Sequence, residues 1–382
     1  MSKRLITAIE IDGAGGHPAA WRGVEVDPAA ILTGELALRA VQRAEAAGID
    51  IATFADALEA PADDPERVSV RLDALGLAAR IAPSTKSIGL LPTITVTHTE
   101  PFHVQASVAT LDYVSQGRGG WIAEVSSSAE AAAVIGRREP APAADTWREA
   151  RYVVDVSRRL WDSWEDDAII RDAATGRFVD RDRIHYVDYE SPNFSIKGPS
   201  IVPRPPQGHP ITAVLVNTPE ALEAAADAEL VLLPGIAELG DRVAAVRAAA
   251  ERSSGASPRV LVSVSVLLDD DAAAAARRAE GVPAAGADGA APGGPSVGGD
   301  FDFVGGVERL AELISDWAEA GVDGVHLRPA SLEVDVPVIA ERLIPLLRAK
   351  KLVGPAVDRA TTLRNRLGLR RPDNRYAVGS ER

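Results

Sequence analysis

Residues 88–128, IGLLPTITVTHTEPFHVQASVATLDYVSQGRGGWIAEVSSS, constrain the fold of this chain more than any other stretch. The apolar, β-rich run 88–96 is too short for a helix and is bounded by polar turn residues. A polar loop follows, and Pro101 stands where a first helical position tolerates it. Residues 102–115 then carry Val104, Val108, Leu111 and Val114 at roughly helical spacing. Gly117 and Gly119 end that helix, and 121–125 begin another strand. Two strands joined by a helical crossover form a parallel βαβ unit, and such sheets are covered on both faces. The polar residues at the two strand ends (Thr95, Thr97 and His98, then Glu124, Ser126 and Ser127) therefore emerge on one rim. That rim is where chemistry is expected.

The same alternation runs along the chain. Strands are expected at 5–11, 50–55, 88–96, 121–125, 210–216, 229–233, 259–268 and 322–327. Helices are expected at 31–47, 70–81, 102–115, 145–164 (with Asp145 as N-cap), 219–227, 236–251, 270–279, 307–320 and 336–350. Eight strands alternating with helices predict an α/β fold of the (β/α)8 TIM-barrel type. Residues 1–350 form the barrel domain on this reading, with an insertion at 165–209 and a C-terminal arm at 351–382. The segment 281–299, GVPAAGADGAAPGGPSVGG, has no periodicity and reads as a flexible surface excursion. The arm is expected to pack on a neighbouring subunit or on its own barrel wall.

A doubly wound nucleotide-binding sheet is the rival architecture. Gly13 and Gly15 meet the first two positions of G-x-G-x-x-G, but the third falls on Pro18, which cannot give close helix packing. No Walker loop, H-E-x-x-H or G-x-S-x-G is present, so phosphoryl-transfer, zinc-peptidase and α/β-hydrolase signatures are lacking. The absence of cysteine excludes disulfides, thiolate metal sites and cysteine nucleophiles. His103, His185, His209 and His326 show no metal-ligand spacing, so they read as structural and no metal is expected. A net charge of −14 argues against nucleic acid or an anionic membrane as partner. With neither a signal-peptide pattern nor a membrane-length apolar run, a cytoplasmic protein is expected.

Five stretches carry a family likeness. They are GGHPAAWR (15–22), TFADAL (53–58), THTEPFHVQASVATLDYVSQGRGGW (97–121), LWDSWEDDAIIRDAATGRFVDRDRIHYVDYESPNFSIKGPSIVPRPPQG (160–208) and TLRNRLGLRRPDNRY (362–376). In this order the chain resembles the bacterial luciferase-like flavin-dependent monooxygenases. The branch is that of nitrilotriacetate, pristinamycin and dibenzothiophene-sulfone monooxygenases. The resemblance implies a TIM barrel that uses reduced FMN and O2 to oxygenate a small organic substrate. It also implies a separate flavin reductase and a homodimer or tetramer.

For the site, Asp56, Thr97, Ser126, Ser127, Trp147, Arg148, Asn217 and Thr218 are the expected cofactor-binding residues. His98 and Glu124 are the expected catalytic ones. His17 and Trp21, on the first loop, are placed to line the substrate mouth. Three positions depart from the family pattern: Ile122 stands where an asparagine approaches the flavin, Trp147 replaces a phosphate-facing tyrosine, and Val214–Thr218 replaces Q-A-G-A-S. FMN binding weaker than in relatives keeping those residues is therefore expected. A deazaflavin-dependent hydride-transfer enzyme and a non-catalytic flavin-binding paralogue are the alternatives.

Overall fold

The structure, a computed structural model, describes residues 4–17, 20–23, 29–58, 70–253, 257–280, 301–355 and 361–377. The glycine- and alanine-rich segment 281–299 lies outside the described residues. Eight parallel strands close into a ring: β1 (Ile6–Ile11), β2 (Ile51–Phe54), β3 (Gly89–Thr95), β4 (Gly120–Glu124), β5 (Ile211–Leu215), β6 (Leu230–Pro234), β7 (Arg259–Leu268) and β8 (Gly324–Pro329). Each pairs with the next, and β8 pairs with β1 to seal the seam, Ala8 lying against His326 and Ile9 against Leu327. A short strand, Phe303–Gly305, extends the upper end of β7.

Because both faces of each strand are covered, the strands are apolar at nearly every position, as parallel sheets require. Alternate residues serve two separate cores. Ala8, Ile51, Leu91, Ile122, Ile211, Ala213, Leu230, Leu232 and Leu261 fill the barrel interior. Their chain neighbours, such as Ile9, Ala52, Leu90, Ala123, Val214, Val231 and Val260, pack outward beneath the helices. This parity decides which polar residues reach the cleft at the strands' C-terminal ends.

The helices agree with the sequence pattern in place but not at every boundary. Gly34, at φ 71°, splits the first expected helix into Ala29–Thr33 and Glu35–Ala47. The second starts at Ala74, where Asp73 caps the amide of Gly76, so 70–73 are not helical. The long helix is Ala143–Asp162, and Pro142 rather than Asp145 is its N-cap; Asp145 sits inside the first turn, where its charge favours the helix dipole. A helix not expected from the sequence, Ala129–Ile135, is capped by the Ser128 hydroxyl and closed by a left-handed Gly136.

The insertion forms two small antiparallel hairpins. Val187, Tyr189 and Ile196 from it pack on Val156 and Leu160 of the long helix. The C-terminal arm closes the other end of its own barrel, with Leu363 and Leu367 joining the interior core from below. Arg364 of the arm donates to the His209 carbonyl and to buried Glu229. Burial works against the charge on Glu229, but Arg158 and Arg364 outweigh it and lower its pKa to about 2. Among the described residues no helix is long and apolar enough to cross a membrane.

Candidate active site

The C-terminal ends of β1, β3–β5 and β8 carry a ring of half-buried polar residues: Glu10, His98, Glu124, Ser126, Ser127, Asn217, Thr218 and Arg328. Half-burial of so many polar groups at adjacent strand ends describes the wall of an open cleft. The strand parity aims Glu124 inward, since Ile122, two residues before it, lies in the interior core. Burial pushes the Glu124 carboxyl up to about 8, against one hydrogen bond from the Val125 amide. At neutral pH it is therefore a protonated acid, able to donate a hydrogen bond. The Thr97 hydroxyl accepts from the Ser126 amide at 2.9 Å and ties the ends of β3 and β4 together. His98 is kept neutral chiefly by burial and then by nearby Arg138, with Glu149 opposing.

Not every expected site residue reaches this cleft. Asp56 lies at the end of β2, but its two oxygens accept from the amides of Ala57 and Ala74, a capping role for the segment that follows. Trp147 is on the outer side of the wall. With Ala123, Ala150, Val154 and Val214 it lines a small gap between the long helix and the barrel. Arg148 is exposed on that helix and bonded to Asp145 at 2.7 Å. Ile122 is only 5 % exposed, inside the apolar interior layer rather than among the rim polars.

Other cleft residues were not singled out from the sequence. Glu10 faces inward from β1, and burial raises its carboxyl to about 7, with Arg328 opposing and Asp12 adding to the rise. His326, read from sequence as structural, sits below the mouth in a buried relay. Its Nε2 is 2.8 Å from the Thr53 hydroxyl, and its Nδ1 is 2.8 Å from the Ser263 hydroxyl. Burial, then Arg328, lowers its pKa to about 3, so the ring is neutral at physiological pH. Asp302, held by the amide and hydroxyl of Ser265, lies 3.7 Å from Arg328. The only sequence signal for these residues was the period of two. A polar residue two positions from an inward apolar one, as Glu10 is from Ala8, must also point inward.

The first loop folds over the mouth beside β8. The amides of Gly16 and His17 donate to the carbonyls of Pro329 and Ala330, and the His17 ring meets Phe301 at 5.6 Å. Among the described residues, three buried polar atoms at this end of the barrel lack hydrogen-bond partners: His98 Nδ1, Thr218 Oγ1 and Arg328 Nε. A flavin has a polar ring edge and a phosphate, and orphaned donors above an apolar barrel core suit both. The residues present fit such a group. No cluster of His, Asp or Glu suited to a metal occurs among the described residues.

A closed parallel barrel with its unsatisfied polar groups at the C-terminal mouth defines an enzyme of the TIM-barrel class. The chain belongs to the luciferase-like monooxygenase family, whose model matches residues 26–324. It is accordingly an oxidoreductase, a flavin-dependent monooxygenase. It is 25 % identical to N-acetyl-S-(2-succino)cysteine monooxygenase of Bacillus subtilis (strain 168), over 98 % of this chain and 99 % of that protein. It is 32 % identical to nitrilotriacetate monooxygenase component A of Aminobacter aminovorans over 210 residues, 52 % of this chain and 46 % of the relative. A riboflavin lyase solved with modified FMN and riboflavin shares the fold, with a TM-score of 0.83 at 23 % identity, covering 97 % of each chain.

Proposed function

We propose that this enzyme oxygenates a small organic substrate with reduced FMN that a separate reductase delivers. The observation that carries the reading is the set of orphaned polar atoms, His98 Nδ1, Thr218 Oγ1 and Arg328 Nε, at the C-terminal mouth of the barrel. The flavin-bound likeness in the riboflavin lyase and the name "component A" of the nitrilotriacetate relative support FMN and a reductase partner. The resemblance also favours a homodimer or tetramer.

Reduced flavin, when bound, supplies the electrons with which O2 is activated to oxygenate the substrate. The chain's own groups have separate tasks. Thr218, Ser126 and Ser127 offer neutral donors on the β4–β5 side, suited to the phosphate. Trp147 and Arg148 line a cavity with Pro219 and Glu220, the residues that follow Thr218. Glu124, protonated at neutral pH, holds its proton at the carboxyl oxygen not bonded to the Val125 amide and offers it as a donor into the cleft. His98 is neutral and keeps one ring nitrogen free for the ligand. The loop carrying Gly16 and His17 shields the β8 side of the mouth from water.

Equilibrium titration of the purified protein with FMN, photoreduced FMN and reduced deazaflavin tests this. Reduced FMN is expected to bind tightest, and Thr218→Ala to weaken it about five-fold, the worth of one hydrogen bond near 1 kcal/mol. Preference for the deazaflavin would replace monooxygenation with hydride transfer. No binding of any flavin would sink the reading.

A further inference from the structure

The end of the barrel opposite the cleft holds a second cavity, of about 190 Å³, lined by Arg4, Leu5, Ile6, Asp50, Arg259, Asp323, Arg366, Leu367 and Gly368. Three guanidinium groups here face two carboxylates, and both carboxylates are already engaged. Asp50 takes a 2.7 Å bond from Arg4 and two more from the amide and hydroxyl of Thr7. Asp323 accepts from the Val260 amide. Arg259 spends its Nε on the Leu367 carbonyl, leaving only a long 3.5 Å contact from Nη2 to Gly368.

Arg366 is different. Its Nη2 is buried without a hydrogen-bond partner among the described residues. Burial is the main influence on its pKa and lowers it, with Arg4 adding repulsion and Asp50 and Glu45 opposing. Arg366 as a whole is half-buried, but a buried guanidinium nitrogen with no acceptor is costly, and a ligand oxygen would offset that cost. Planar guanidinium groups converging on a small cavity match the donor pattern that oxyanions need. Glu229, by contrast, is already shared by two arginines and leaves nothing over.

We propose that this cavity is an oxyanion site, which takes inorganic phosphate or the phosphate group of a larger ligand on Arg366, with Arg4 and Arg259 beside it. The site joins three distant parts of the chain: the residues before β1, the start of β7 and the C-terminal arm. Its occupant therefore acts as a clasp between the arm and the barrel base. The inference uses none of the cleft residues and stands independently of the flavin.

The test is thermal unfolding of the full chain in inorganic phosphate, against chloride at matched ionic strength. Phosphate is expected to raise Tm saturably, by about 2–4 °C at a hundred-fold excess over Kd. Arg366→Gln should remove that response, and Arg366→Lys, which keeps the charge but not the fork, should weaken phosphate at least three-fold. Ribose 5-phosphate distinguishes the sources. A Kd at least ten-fold below that of phosphate assigns a phosphorylated ligand, and a similar or higher one assigns the free ion. A phosphate response undiminished in both Arg366 variants would place the anion elsewhere and overturn the proposal, as would no response in the wild type.

Discussion

Glu124 shows how one buried carboxyl sets a pH dependence. Its pKa is near 8 in the folded chain against an ordinary 4.5. Between those values the folded state holds a proton that the unfolded state has released, so this group's contribution falls as pH rises from about 4.5 to about 8. Glutamine at the same place does not titrate. Glu124→Gln should therefore gain on the wild type through that window and keep a constant advantage above it, on the order of 2 kcal/mol after allowance for partial exposure. Tm measured from pH 4 to 9.5 checks this, and parallel curves for the two proteins would show that Glu124 titrates normally. The His326 relay gives a second test. Thr53→Val or Ser263→Ala leaves one buried imidazole nitrogen unsatisfied, at a cost of roughly 1–3 kcal/mol in chemical denaturation. His326 itself makes the fold acid-sensitive: neutral in the folded chain down to about 3, it loses stability as pH falls from 6.5 towards 3.

At the level of elements, the strands were the most legible part of the chain. Apolar runs such as VLVSVSVLL in β7 admit few other readings, and all eight expected strands form. The sites on them were less legible for a physical reason. A strand's sequence shows alternation but not which parity faces the axis, and that is fixed only when neighbouring strands lock the register. Thr97, Glu124 and Ser126 could be singled out from the sequence because they cluster in one βαβ unit. Glu10 and Arg328 were missed because their proximity depends on β1 meeting β8. Trp147 was expected at the cofactor by likeness to other chains; its helix packs it against the outer wall, where it also lines a cavity with Arg148, Pro219 and Glu220, next in the chain to Thr218. The helix Ala129–Ile135 escaped notice because it is short and rich in alanine, with little amphipathic contrast.

The first loop illustrates a backbone constraint on the same scale. Gly15 has φ +143°, and a Cβ there would collide with the Ala330 carbonyl oxygen and the Ser331 backbone. Gly15→Ala must lift the loop off β8 and take the Gly16 and His17 amide bonds with it. The expected result is a loss of about 2–4 kcal/mol together with weaker flavin retention. Titration calorimetry and Tm together check it, and unchanged values for both would show that the loop does not need its present path.

On the scale of the whole molecule, the barrel is capped by different means at its two ends. The arm's Leu363 fills the base, and Gly89 leaves it room, since a Cβ there would approach Leu363 to 2.8 Å. Leu363→Ala should cost about 2–5 kcal/mol in denaturant unfolding without altering the cleft. A loss of flavin affinity equal to the loss of stability would instead show that base and mouth are coupled.

The seam between β1 and β8 has a consequence for how the protein is made. Ile6 pairs with Gly324, roughly 320 residues further along the chain. A ribosome must therefore thread out nearly the whole barrel before the first strand meets its second neighbour. Until then β1 and β7 each present an unpaired edge to other nascent chains, the condition under which strands add to the wrong partner. Closing so long a loop adds little to the equilibrium cost, which grows only with the logarithm of length, but it slows the search. Synthesis of this enzyme thus ends with its slowest pairing, and the yield of active protein should depend on chaperones that occupy those edges during translation more than on the stability of the finished barrel.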